Sequence, residues 1–406
     1  MYIEQVDGGV CAPKGFKASG VHCGIRKNKG KRDLSLIVSD VPCSAAAVYT
    51  TNKVKAAPIG VTKKHLENGM ARAIICNSGN ANTCAPNGVE IAEKTCELLA
   101  EELGIPTEDI IICSTGVIGV PMTIEPFEKG IPKLVKKLAI DGSSKAAEGI
   151  MTTDTVKKEI AVSTIIGNKV CHIGGIAKGS GMINPNMATM LSFITTDVAI
   201  TPAMLQKALD SDVADTFNQL SVDGDTSTND TVAILASGLA ENPIIDEEGD
   251  DFQEFCKALR VVTTYLVKEL AKDGEGASKL LECVVSGAKD KDSARIISKS
   301  VIESNLLKAA MFGEDANWGR IICAMGYADA DFNAETVDIV LSSSKGNIQV
   351  CKNSGQLEFS EEKASEILKE DEIQILVFLN QGNEEARAYG CDLTYDYVKI
   401  NGSYRS

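Results

Sequence analysis

Gly174-Gly175-Ile176-Ala177-Lys178-Gly179-Ser180-Gly181-Met182-Ile183-Asn184-Pro185-Asn186-Met187-Ala188-Thr189-Met190-Leu191-Ser192-Phe193 is the stretch on which the reading of this chain turns. It divides into a glycine-rich turn holding one lysine, Lys178, then an Asn-Pro-Asn bend, then an apolar run over residues 190–194. That run is bounded by turn residues and reads as a buried strand. Thr189 stands where the bend becomes the strand, behind the small Ala188. A threonine hydroxyl is a weak nucleophile unless a base lies beside it. One solution is to make the threonine an N-terminus, so that its own α-amine is the base. Such an amine titrates at ~7.7–8.0 in small peptides, close to working pH, whereas a lysine amine does not. An internal Thr189 reaches that state only if the bond between Ala188 and Thr189 is cut. The plainer reading is a threonine of ordinary β-propensity behind an ordinary glycine loop. Position and composition alone favour the plainer reading.

The 406 residues are 44% hydrophobic and 24% charged, which suits a globular chain of two or three domains with ample core. A net charge of −15 argues against nucleic acid and anionic membrane as partners, since both call for basic surface. One placed lysine can still hold an anionic substrate. The 13 cysteines contain no C-x-x-C pair, so neither a zinc ribbon nor a redox dithiol is supported. Unpatterned thiols in that number suit a reducing compartment. The three histidines, His22, His65 and His172, stand apart from one another and from any metal-ligand spacing. The N-terminus has no secretion signal, and no run approaches the ~18 apolar residues of a membrane span. The expectation is a cytoplasmic protein.

Outward from the central stretch, residues 34–38 and 45–50 read as two short strands, and residues 73–76 as another. The last runs into Asn77-Ser78-Gly79-Asn80-Ala81-Asn82, either a turn or a bed of hydrogen-bond donors, with the turn preferred. Residues 88–103 form a helix with one apolar face. A strand over 109–113 ends in Ser114-Thr115-Gly116-Val117-Ile118-Gly119, which is a plain strand-to-helix loop or an oxyanion hole. A helix over 143–151 leads to Thr152-Thr153-Asp154-Thr155, either a helix C-terminal turn or a substrate-facing polar patch, and strands follow over 158–166 and 169–173. Thr201-Pro202 opens a helix, with threonine as cap and proline at the first helical position. The polar run 221–230 lacks the closing glutamate of an EF-hand and reads as a loop. A long amphipathic helix over 252–270 leads to Asp273-Gly274-Glu275-Gly276, where a glutamate between glycines is open to close approach. Residues 291–310 read as one helix. Residues 337–400 read as mostly strand, including 373–379 and a last strand over 395–400 that runs into Asn401-Gly402-Ser403-Tyr404-Arg405-Ser406.

Lys178-Gly179-Ser180-Gly181-Met182 followed by Ala188-Thr189-Met190-Leu191 resembles the self-cleavage segment of the glutamate N-acetyltransferase / ornithine acetyltransferase family of arginine biosynthesis. The resemblance extends from about residue 8 to residue 406 through several motifs in the family's order, with two departures. Thr83 stands where the family usually has alanine, and Ala316 where it commonly has proline. The resemblance implies an α/β (α+β) fold, a layered mixed-sheet sandwich with helices outside, of the self-cleaved N-terminal-nucleophile type. It implies cleavage between Ala188 and Thr189 into an alpha chain, 1–188, and a beta chain, 189–406. These stay together, as a heterotetramer of two alpha and two beta chains. It implies an acetyltransferase that moves the acetyl group of N2-acetylornithine to glutamate through an ester on Thr189. The residues matching the family's oxyanion hole are Thr115 and Gly116, and those matching its substrate contacts are Thr152, Lys178, Thr189, Glu275, Asn401 and Ser406. No metal and no cofactor are implied. Acetyl-CoA stays open as a further donor, because some family members accept it and others do not. Two rival readings remain. One is an amidase or aminopeptidase with the same nucleophile that gives the acyl group to water. The other is a non-catalytic small-molecule binding protein.

Overall fold

The computed structural model describes residues 2–184 and 190–403. Its strands, in chain order, are β1 (Ile3–Val6), β2 (Phe16–Val21), β3 (Leu34–Tyr49), β4 (Met70–Asn80), β5 (Ile110–Val117), β6 (Lys158–Ile166), β7 (Lys169–Lys178) and β8 (Leu191–Thr196). They continue with β9 (Leu220–Ser221), β10 (Thr231–Ala236), β11 (Leu280–Ala288), β12 (Asp338–Ser343), β13 (Gly346–Lys352), β14 (Gly355–Gln356), β15 (Glu372–Phe378) and β16 (Glu384–Cys391). The helices are α1 (Ala57–His65), α2 (Gly88–Leu103), α3 (Glu125–Lys136), α4 (Ser143–Ile150), α5 (Pro202–Asp215) and α6 (Asp250–Lys272). After these come α7 (Lys291–Glu303), α8 (Asn305–Phe312), α9 (Trp318–Gly326), α10 (Glu361–Leu368) and α11 (Tyr395–Ser403).

Two mixed sheets carry the fold. The first runs β1-β6-β7-β8-β10-β3-β4-β5, with β2 beside β3; the second runs β14-β13-β12-β15-β11-β16-β9. In the first sheet β8 pairs antiparallel with β7 and parallel with β10, and β10 in turn pairs with β3. The two strands that follow residue 189, β8 and β10, therefore lie side by side in the middle of a sheet whose other strands all precede it. All six residues of β8 are buried, as the apolar run predicts. The helices α5 and α6 cover one face, where Phe255, Leu259 and Leu266 pack with Ile173 and Ile194. On the other face Ala146, Ala147 and Ile150 of α4 meet Ile176, Leu191 and Phe193. Each large apolar side chain so buried contributes about 1.5–3 kcal/mol. The helix α6 also packs against the second sheet, since Leu280, Tyr389 and Cys391 belong to the same cluster. The other face of that sheet is covered by α7 to α10.

Several elements differ from the sequence expectation. Residues 34–49 form the single strand β3, whose ladder with β4 shifts register between Val38 and Cys43. Pro42 lies in that gap and has no N–H to give, so the two apolar runs looked separate. Residues 77–80 are not a turn but the end of β4. Asn77 accepts from Ser114 Oγ at 2.6 Å and donates to Asn80 O at 2.9 Å, so its amide is spent inside the sheet. Residues 174–178 are likewise strand, the end of β7, and not the expected turn. A Cβ at Gly174 would lie 1.9 Å from Gly9 O, so that glycine admits a neighbouring backbone. The helix expected over 291–310 breaks at Ser304, whose hydroxyl caps α8 by accepting from Leu307 N at 3.3 Å. Residues 395–400 are helical, not extended. Six residues of mixed polarity do not fix a period, and Thr394 accepts from Asp396 N at 3.2 Å to start the turn.

Candidate active site

β5 and β7 end, and β8 and β10 begin, around one cleft of about 780 Å³ that is partly open to solvent. Thr115, Gly116, Thr152, Lys178, Glu275 and Asn401 all line it. Thr153 lines it as well, beside Thr152. Ala188, Thr189 and Ser406 lie outside the described residues. Met182 and Met190, on either side of the former pair, line the same cleft.

Thr115 and Gly116 sit where β5 leaves its parallel ladder with β4. There Asn80 faces both Thr115 and Val117, an irregularity that turns the end of the strand. Gly116 has φ +133°, and a Cβ on it would stand 2.4 Å from the carbonyl carbon of Gly79. Only glycine, which lacks that atom, lets the two backbones lie so near each other. The loop before β10 is fastened to this corner by Asn229. Its Nδ2 donates to Ser114 O at 2.7 Å and to Ala81 O at 2.6 Å. Its Oδ1 accepts from Thr83 at 2.9 Å and from Thr228 at 2.6 Å. The departure at Thr83 thus supplies a hydroxyl to that loop. Ala316, the other departure, is buried in the core of the second sheet.

Lys178 ends β7, almost wholly buried, with Nζ 4.0 Å from Asp154 Oδ2. Burial pushes its ammonium below its ordinary pKa, and the nearby Lys158 adds to that, while Asp154 and Asp230 pull the other way. Burial also opposes ionisation of Asp154. Lys178 and Lys158 outweigh it and hold that carboxyl well below the usual carboxylate range. Asp154 in turn accepts from the N–H groups of Thr152 at 2.9 Å and Gly179 at 2.7 Å, which fixes both turns. On the opposite wall Glu275 accepts from Asn401 Nδ2 at 2.8 Å. The turn bearing Glu275 packs on α11, where a Cβ at Gly276 would stand 2.5 Å from Tyr397 N. Gly181 gives Glu275 its place, for a Cβ there would lie 2.4 Å from the carboxyl carbon. The cleft therefore offers an ammonium on one wall, a carboxylate with an amide on another, and a backbone corner at Thr115 and Gly116. That set fits a small zwitterionic molecule with a carbonyl to be polarised.

Sequence reasoning set Asp154 in a polar cluster and Asp223 and Asn229 in a polar loop, but it did not single out these residues, Lys158 or Asp273 as the groups that hold these segments. Asp223 accepts from Met182 N at 2.7 Å, Ile183 N at 2.9 Å and the Tyr397 hydroxyl at 3.3 Å. The Asp154/Lys158 spacing of four was the only local signal, and it falls across a turn. Among the described residues no group of three or more His, Cys, Asp or Glu side chains is placed to hold a metal ion. No helix among them is long and apolar enough to cross a membrane.

A family model described as the ArgJ family matches residues 17–406. The arginine biosynthesis bifunctional protein ArgJ of Caldanaerobacter subterraneus is 49% identical over 405 residues, with 100% of each chain covered. ArgJ 1 of Clostridium acetobutylicum, of the same description, is 51% identical over 392 residues, with 96% of each chain covered. The crystal structure of the arginine biosynthesis bifunctional protein ArgJ from Bacillus halodurans matches at 49% identity and a TM-score of 0.51. That match covers 53% of this chain and 100% of the solved one.

Proposed function

The chain belongs to the ArgJ family, and from that premise we propose that it transfers the acetyl group of N2-acetylornithine to glutamate in arginine biosynthesis, with Thr189 as the nucleophile. The observation that carries this reading is the gathering of Thr115, Gly116, Thr152, Lys178, Glu275 and Asn401, six positions spread from 115 to 401, around a single cleft.

In this reading the bond between Ala188 and Thr189 is cut, and the new α-amine of Thr189 takes the proton of its own hydroxyl. The oxygen attacks the acetyl carbonyl. Thr115 and Gly116 stabilise the oxyanion, each such donor being worth ~2.7–4 kcal/mol. The proton passes to the departing α-nitrogen, ornithine leaves, and the acetyl group remains on Thr189 as an ester. The amine of glutamate attacks that ester and regenerates the hydroxyl, a ping-pong cycle. Lys178 meets the substrate carboxylate, Glu275 and Asn401 face a substrate amine, and Ser406 adds a contact from the C-terminus. One α-amide replaces another, so the cycle needs no cofactor. Acetyl-CoA is the candidate for a second acetyl donor to Thr189.

The seating of β8 and β10 between β7 and β3 supports two pieces that stay together after the cut. The Bacillus halodurans chain is matched whole by 53% of this one, close to the share that residues 189–406 make up. We assign the pieces to a heterotetramer, two of 1–188 and two of 189–406. We place it in the cytoplasm, where 13 unbridged cysteines are at home.

The test is a denaturing mass measurement together with an assay of ornithine release. Two pieces, the second beginning at Thr189, and release that requires glutamate are expected. Release into buffer alone would make the protein an amidase, and an intact chain without turnover would leave only a binding protein. Thr189→Ala is expected to remove cleavage and turnover together; surviving turnover would refute the nucleophile.

A further inference from the structure

Lys158 opens β6 with its side chain wholly buried, which lysine almost never is unless paired. Its Nζ donates to Asp154 Oδ1 at 2.8 Å, Asp273 Oδ2 at 2.6 Å and Val156 O at 3.3 Å, so all three protons have acceptors. None of Lys158, Asp154 and Asp273 is among the residues that line the cleft. Their partners do line it, or adjoin residues that do. Asp154 holds Thr152 and Gly179 by their N–H groups and stands 4.0 Å from the Lys178 ammonium. Asp273 accepts from Thr155 N at 3.1 Å, and its carbonyl accepts from Ser180 Oγ at 2.6 Å. Ser180 O accepts from Glu275 N at 2.8 Å. Three segments distant in sequence are thus tied to one ammonium.

We propose that Lys158 is a positioning residue of the cleft, which holds the segments bearing Thr152, Lys178 and Glu275 in one arrangement and leaves Lys178 directed at the substrate. The inference deepens the acetyltransferase reading and rests on it. Two buried ammoniums, Lys158 and Lys178, stand among the buried carboxylates of Asp154, Asp273 and Asp230. Without Lys158, Lys178 is the nearest cation to Asp154 and closes on it, away from the substrate carboxylate. The turns that present Thr152 and Glu275 lose their common anchor at the same time. A displacement of about 1 Å in a site costs on the order of 100-fold.

The experiment compares the full-length wild type with Lys158→Met, Lys158→Arg and the charge-balanced Lys158→Met/Asp273→Asn, reading melting temperature, KM and kcat for N2-acetylornithine. Lys158→Met is expected to raise KM roughly 10- to 100-fold. The double variant is expected to regain melting temperature and keep the raised KM, because charge balance returns and the anchor does not. A group that only stabilises the fold would let both return. Lys158→Arg keeps the charge, but a planar fork does not match three acceptors around an ammonium. It is expected to raise KM as well, and it decides the matter if the methionine variants do not fold. Wild-type KM in the folded double variant, or in Lys158→Arg, would overturn the inference alone. A wild type that transfers no acetyl group would overturn the functional reading and this inference with it.

Discussion

Gly181→Ala tests the charged wall of the cleft with one methyl group. The φ of Gly181 lies outside the left-handed region, so the backbone accepts alanine. The new Cβ would stand 2.4 Å from Glu275 Cδ and Oε2 and 2.6 Å from Oε1, closer than any real contact. The far end of a flexible side chain yields more readily than backbone does. Glu275 should swing out of the cleft and give up the 2.8 Å bond from Asn401. A hydrogen bond to a charged group is worth about 1.5–3 kcal/mol, which is roughly 10- to 150-fold in affinity. KM for N2-acetylornithine should rise by that factor, with kcat changed less. Asn401 is exposed and Glu275 only half-buried, so the melting temperature should barely move. Steady-state kinetics with each substrate varied in turn reads the effect. A double-mutant cycle isolates its cause: Glu275→Ala alone should reproduce the loss, and adding Gly181→Ala to it should cost nothing more. Unchanged kinetics for Gly181→Ala would refute the placement of Glu275. Additive losses would show that the methyl group acts elsewhere.

Gly116→Ala faces backbone at 2.4 Å and needs φ +133°, so strain of about 1–3 kcal/mol adds to a clash that cannot relax; calorimetry should show a lowered melting temperature, and turnover should be lost. The folded-state pKa of Lys178 lies below its ordinary 10.5, so KM should rise on the alkaline side before that pH, and Lys178→Arg should remove this limb of the profile. The sign for stability is opposite: between the two pKa values the unfolded chain binds more protons, so the contribution of Lys178 to stability grows with pH across that window. After cleavage the pieces 1–188 and 189–406 should elute as one species in native buffer and part only in denaturant, because β8 and β10 are laddered to β7 and β3.

What the sequence disclosed follows physical lines. The helix at Gly88–Leu103 and the strand at Lys158–Ile166 appear with the bounds expected, because apolar period and turn residues agreed there. The cap at Thr201 is present, its hydroxyl accepting from Met204 N at 3.4 Å. The expected elements failed where a tertiary partner overrode the local pattern. Residues 77–80 stay in the sheet because β5 lies beside them. Residues 291–310 divide because Ser304 caps a second helix, and a single serine in a helical pattern does not announce a cap. Most strands of the second sheet fall in the region read as strand, 337–400, but their order was not legible, since pairing between distant strands leaves no local mark.

The candidate site was legible only through motif resemblance, and its glycines explain why. Gly174 makes room for the backbone of Gly9, Gly116 for Gly79, Gly181 for the carboxylate of Glu275, and Gly276 for the start of α11. In sequence these read as turn residues, and Gly174 and Gly116 are in strands. A glycine that bends a chain and a glycine that admits a distant neighbour have the same letter, and only the neighbour tells them apart. The same holds for the buried charges. Asp154, Lys158 and Asp273 look like surface residues flanking turns, and each becomes intelligible once the other two stand beside it. A motif rich in glycine and small polar residues is therefore a record of close approaches, and its specificity comes from the partners it leaves room for.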